Sequence, residues 1–209
     1  MKRRRNPAGS RLAILEAAGH AFAEHGLSGA RTDSIAKTAG VNKALLYYYF
    51  PSKNALYSAV LHEELTAFHQ TALHILAQNG LAAPILLEYV SRHFDFVGAH
   101  PHYARLFQRM MLAGGGKPDP LVTERLIPVA RALGALLRRG IRTGEFRPLD
   151  PQHTAISLVA LTVFYFNAAP VIRMISGQDP FAPSNLRRRK AEVLKFVRHA
   201  LLTKAEHVP

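Results

Sequence analysis

Between Thr32 and Pro51 the chain has room for only two short helices, and this constrains the fold more than any other stretch. Gly40 interrupts "TDSIAKTAGVNKALLYYYFPSK", and Pro51 closes it. Glycine suits a sharp turn, and proline disfavours helix in the residue before it. Thr32 is expected to cap the segment "DSIAKTA", whose Ile35 and Ala39 stand at i, i+4. Asn42 is expected to cap "KALLYYYF", and Ser52 to cap the helix that follows. A further helix is expected from near Ser10, with Leu12, Leu15, Ala18 and Phe22 as its apolar stripe and Gly26 as a left-handed end. Two short helices joined by a glycine turn, the second basic and aromatic, form the pattern of a helix-turn-helix.

Tyr47, Tyr48, Tyr49 and Phe50 are consecutive. Each helical residue turns about 100°, so they cannot share one face. With Leu46 and Phe50 as the inward pair, Tyr48 points almost directly outward, and Tyr47 and Tyr49 lie on the flanks. Ala44 and Leu45 fall on the outer half, and Lys43 lies in the first turn. Such a face fits a DNA major groove. Ala44 permits close approach, Leu45 can touch a thymine methyl, and tyrosine hydroxyls and Lys43 can bind phosphates. Lys53, beside the start of the next helix, offers another phosphate contact.

Charge points to the same partner. The 209 residues carry a formal charge of +13. Residues 1–60 hold nine Lys or Arg against three acids. This balance suits a polyanion. Two basic runs stand out, 2–5 and "RRRK" at 187–190. The first is expected to be either a DNA-binding arm or a solvated terminus.

The rest of the chain reads as longer helices, so an all-α fold is expected. Breaks are expected at 79–84, 99–102, 113–120, 142–151 and 176–185, with the last two long helices at about 151–175 and 185–203. No apolar run reaches the roughly 18 residues of a membrane span, and the segment after "MKRRRN" lacks the apolar core of a signal peptide.

The stretch at 32–60, together with "ILEAAGHAFAEHGLSGARTDSIA" before it, resembles the DNA-binding domain of the TetR family of bacterial transcription regulators. The combination of "IAKTAGV", "LYYYFPSK" and "ALYSAV" carries the resemblance. It implies an all-helical homodimer with a helix-turn-helix domain at 8–68 and a helical effector-binding and dimerisation domain at 69–209. The third helix would enter a major groove of a near-palindromic operator. The DNA-binding set is then Thr32, Asp33, Lys43, Ala44, Leu45, Tyr47, Tyr48, Tyr49 and Lys53. Ala44 and Leu45 stand where the family commonly has Gly and Thr, which suggests an apolar base contact.

The family places a small-molecule effector among its middle and late helices. The aromatic residues Phe68, Phe94, Tyr103, Phe107 and Phe164, the apolar Val97 and Met110, and the polar Asn167 are the expected lining, although any single aromatic or apolar member is also an ordinary core residue type. Leu158, Leu161, Leu194, Val197 and Leu201 are the expected dimer interface, by analogy with the family's C-terminal helix pair. No cofactor and no metal is expected. The pairs His62/His69 and His93/His100 are each seven apart, which is not the spacing of a helical zinc site. No G-x-S-x-G, P-loop, dinucleotide fingerprint or H-E-x-x-H is present, so an enzyme is the weaker reading. A nonspecific DNA-binding protein, a membrane-surface protein and an activator of the same family remain alternatives.

Overall fold

The computed structural model describes residues 7–100, 102–112 and 120–203. They form α1 (Pro7–Gly29), α2 (Thr32–Thr38), α3 (Lys43–Tyr49), α4 (Lys53–Leu76), α5 (Ala82–Ala99), α6 (Tyr103–Leu112), a π-helical turn (Val122–Leu126), α7 (Ile127–Arg142), α8 (Pro151–Asn167), α9 (Ala169–Ser176) and α10 (Pro183–Leu201). The all-α expectation holds. Among the described residues the only strand-like feature is an isolated bridge between Phe146 and Leu202.

The chain divides into two compact units. One comprises Met1–Leu65 with Arg105–Lys117, the other Thr66–Ala104 with Pro118–Pro209. The expected boundary is 68/69, and the first unit's first segment ends at Leu65. The return of 105–117 to the first unit was not expected. Its reason is visible in Arg109 of α6, whose Nη2 donates to Glu24 O at 2.8 Å and Nε to Ala23 O at 3.2 Å. These carbonyls end the regular part of α1 and would otherwise lack helical donors. Gly26 follows them at φ 68°, ψ 179°. Its φ is positive as expected, but the extended ψ is not that of a left-handed cap.

In the first unit, α1, α2 and α3 pack on one another. Ile14, Ala18, Phe22, Ile35, Leu46, Phe50 and Leu56 are its buried centre. Helix α1 starts at Pro7, ahead of the expected Ser10, because proline's fixed φ suits a first turn. Ser10 is itself buried.

In the second unit α5 is the central helix and packs on α7, α8 and α10. Ile85, Leu86, Tyr89, Val90, His93, Phe94 and Val97 give it a wide buried face. The helix expected over 151–175 is two helices, bent by 63°. Pro170 sits in the first turn of α9 and has no N–H to continue the ladder, so α8 ends at Asn167. No single helix among the described residues is long and apolar enough to cross a membrane, although the bent pair α8–α9 would pass by length and composition.

Candidate nucleic-acid interface

The turn between α2 and α3 follows from three residues. Gly40 has φ 63°, a conformation that costs glycine little. It lets Val41 N–H reach Ala36 O at 2.9 Å and Gly40 N–H reach Lys37 O at 3.0 Å. This is the Schellman arrangement that satisfies the last carbonyls of a helix. Asn42 then opens α3, its Oδ1 accepting from Leu45 N–H at 2.8 Å. At the far end Phe50 is extended, at φ −134°, ψ 101°, as the following Pro51 demands. Ser52 Oγ accepts from Ala55 N–H at 3.0 Å and caps α4. Thr32 does not act as a cap. Arg31 holds the cap position of α2 without a side-chain bond, and Thr32 Oγ1 lies 3.3 Å from Tyr47 Oη instead.

Helix α3 has the two faces that its spacing predicts. Leu46 is 0% exposed and Phe50 is buried, whereas Tyr48 is 79% exposed. Ala44 and Lys43 are exposed and Tyr47 is partly so. Tyr49 is half-buried, with its ring edge-on to Tyr48 at 5.3 Å. Leu45 is half-buried too, so it presents only part of its side chain to a groove. Arg11 lies over the Phe50 ring at 5.5 Å and pairs with Glu63 at 3.7 Å. These contacts link the end of α3 to α1 and, through Glu63, to the middle of α4.

Two of the expected phosphate contacts are engaged with the protein itself. Lys43 Nζ lies 2.9 Å from Asp33 Oδ1 and 3.0 Å from Oδ2. This hydrogen bond, and then the carboxylate's charge, raise the Lys43 pKa. Lys53 Nζ donates to Ser28 O and Ala30 O, both at 3.2 Å. Its ammonium therefore closes the α1–α2 connection, a duty that its place in the sequence does not reveal. The basic run 2–5 lies outside the described residues.

The second unit redistributes the expected effector set. Phe68 and Tyr103 join Tyr89, His93 and Phe96 in a buried ring cluster, with Phe68 stacked on Phe96 at 5.1 Å and edge-on contact between Phe96 and Tyr103 at 5.0 Å. Val97 is buried. Phe94 packs elsewhere, against Phe166 at 5.1 Å, and lines an open cleft with Gly98, Leu186, Arg187 and Lys190. Asn167 is half-buried, and its Oδ1 is buried without a hydrogen-bond partner. Phe164 is 68% exposed and lies outside the core. Phe107 and Met110 belong to the first unit.

The expected dimer set divides by burial. Leu158, Val197 and Leu201 are buried within their own chain, and Leu161 and Leu194 are half-buried. Helices α8 and α10 carry apolar residues on more than one side. Those stripes serve the protomer core. The apolar side chains left exposed are Ile156 and Phe164 on α8, Val171, Met174 and Ile175 on α9, and Phe196 on α10.

His93 and Thr162 are a buried polar pair that the sequence reading missed. His93 Nδ1 lies 2.8 Å from Thr162 Oγ1, and that hydroxyl reaches Leu158 O at 3.1 Å and Val159 O at 2.9 Å. When the hydroxyl's one proton goes to either carbonyl, its oxygen accepts from Nδ1–H. Burial lowers the His93 pKa to about 4. The four-residue step from Tyr89 to His93, on the apolar stripe of α5, is the signal that could have located it. Between pH 6.5 and 4 the unfolded chain binds a proton here that the folded chain does not, so stability falls with acidification. A urea titration should show a loss of about 2 kcal/mol from this group between pH 7 and pH 5, absent in His93→Gln. Equal acid sensitivity in both proteins would refute the assignment. Among the described residues no three His, Cys, Asp or Glu side chains gather as a metal site.

A glycine-turned helix pair that exposes a basic, aromatic second helix is a helix-turn-helix DNA-reading head. Residues 14–60 match the family model of bacterial regulatory proteins, tetR family, and residues 85–197 match the tetracyclin repressor-like C-terminal domain. The HTH-type transcriptional regulator RutR of Escherichia coli (strain K12) is 34% identical over 180 residues, covering 84% of this chain and 82% of that protein. The HTH-type transcriptional repressor SCO4008 of Streptomyces coelicolor is 32% identical over 169 residues, covering 80% and 82%. The crystal structure of AibR in complex with isovaleryl coenzyme A and operator DNA shares the fold, with a TM-score of 0.73 at 16% identity over 90% of this chain and 97% of that one. The protein is a sequence-specific DNA-binding transcriptional regulator. It belongs to the TetR family.

Proposed function

We propose that this regulator is a homodimeric repressor, that it binds a near-palindromic operator through α3, and that a small effector in the second unit releases it. The observation that carries the DNA reading is the geometry of α3: Tyr48 projects into solvent opposite the buried Leu46 and Phe50, behind the Gly40 turn. Ala44 beside it allows close approach to base edges, and Tyr47 stands at the groove margin. Repression is supported by the repressor name that SCO4008 carries. An effector role for the second unit is supported by its match to the tetracyclin repressor-like domain, and by the AibR complex, which holds an acyl coenzyme A together with operator DNA. The cleft beside Phe94 is lined by Arg187 and by Asp95 paired with Lys190 at 2.6 Å, and it favours an effector with an apolar body and a polar group. Dimerisation is supported by Phe164 and Phe196, at 68% and 58% exposure on helices that pack together. The protein acts in the cytoplasm, where the DNA is, and carries out no turnover of its own.

Selection of bound fragments from a random DNA pool is the test. A motif of two inverted half-sites is expected. Recovery of sequences with no common motif would instead support nonspecific binding.

A further inference from the structure

The Asp33–Lys43 pair has no evident purpose in folding. Asp33 lies in the first turn of α2 and Lys43 in the first turn of α3. Their side chains are 71% and 52% exposed, so the pair is not a core bridge. Exposed pairs of this kind add little to stability. A carboxylate on a surface that approaches phosphates also opposes binding. Yet the ammonium sits between both carboxylate oxygens, at 2.9 and 3.0 Å, across the two helices of the DNA-reading head.

We propose that Asp33 is a specificity-determining positioning residue, which holds the Lys43 ammonium at the start of α3 so that it reads a base edge and does not bind a phosphate. The inference rests on α3 entering the major groove. An unrestrained lysine is a point charge on a flexible four-carbon stem and follows the nearest phosphate. Anchored to Asp33, the ammonium keeps its place at the front of the helix. An ammonium has three donors. Two directions are taken by the carboxylate oxygens, which leaves one for a base acceptor. Guanine presents two such acceptors, N7 and O6, in the major groove. The pair is neutral overall, so it releases no counterion and adds nothing to the salt dependence. A lysine that neutralises a phosphate adds about −0.9 to the log–log slope. Lys37 lies four residues beyond Asp33 on the same helix and is exposed, but the carboxylate's close contact is with Lys43.

The test compares full-length wild type, Asp33→Asn, Lys43→Met and the double variant by selection from a random DNA pool and by titration of affinity against salt. Asp33→Asn should bind random DNA more tightly at low salt and steepen the slope by about 0.9, about a 3–4-fold greater loss between 50 and 200 mM salt. Its selected motif should lose preference at one position in each half-site. Lys43→Met should lose preference at that same position. The double variant Asp33→Asn/Lys43→Met, which removes both charges, should keep the wild-type slope, and a slope shallower by about 0.9 in it would make Lys43 a phosphate contact and overturn the inference. An intact motif in Asp33→Asn would overturn it as well. So would a motif altered by Asp33→Asn but not by Lys43→Met, because Asp33 would then contact a base itself. A wild-type selection that enriches no motif would overturn the groove reading and the inference with it. Thermal melts of all three variants should match wild type, since both side chains are exposed.

Discussion

Phe164→Glu combined with Phe196→Glu should turn the protein into a monomer in light scattering and weaken operator binding by a factor on the order of 10²–10⁴. The reason is arithmetic. Two linked heads make the second half-site contact an intramolecular event, and a monomer loses that gain. Phe164 and Phe196 are exposed in the protomer, so the substitutions open no cavity and the melting temperature of the isolated chain is not expected to fall for packing reasons. Buried at a dimer interface, each glutamate would be an unpaired charge and strongly unfavourable. A double variant that stays dimeric would move the interface to another face, and α9, with its exposed Val171, Met174 and Ile175, would be the next to test. Leu158→Ala is the contrasting control. Leu158 is buried in its own chain, so this change should lower stability by about 2–5 kcal/mol.

Leu46→Ala should abolish DNA binding through unfolding of the reading head, and Tyr48→Ala should abolish it without unfolding. Helix α3 has seven residues, too few to be stable alone, so its conformation depends on what it buries. Leu46 is 0% exposed, and its truncation should cost about 2–5 kcal/mol, a large share of the stability of a small domain. Tyr48 contacts mainly solvent and its neighbour Tyr49, so Tyr48→Ala should change stability by only about 0.5 kcal/mol. Urea denaturation followed by circular dichroism, alongside fluorescence anisotropy with operator DNA, separates the two effects. If Tyr48→Ala destabilised the protein as much as Leu46→Ala, the assigned faces of α3 would be reversed.

The DNA-reading head was legible because its determinants are local. Gly40 sets a turn, Asn42 and Ser52 cap helices, and Pro51 stops one. The hundred-degree step then sorts Leu46 and Phe50 from Tyr48 with no knowledge of the partner helices. Errors arose where local rules conflict or fall silent. Pro170 was present in the sequence, but the apolar run around it suggested one helix where the lost N–H makes two. Thr32 is a good capping type, yet its hydroxyl lies against Tyr47, a partner fifteen residues away.

By itself, the sequence determined the class of fold, the order of its helices and which residues of α3 face inward, since these follow from backbone chemistry and helical spacing over a few residues. Only the tertiary structure decided that Lys53 closes the α1–α2 connection, that Lys43 is bound to Asp33 and that Arg109 returns to cap α1. It also decided which apolar stripe of α8 is core and which is surface, placing Leu158 inside and Phe164 outside. A helix with apolar residues on several sides does not specify which side its own chain will cover. A lysine's spacing does not specify which oxygen, on the protein or on a partner, its ammonium will meet. Both are settled by where distant segments cross.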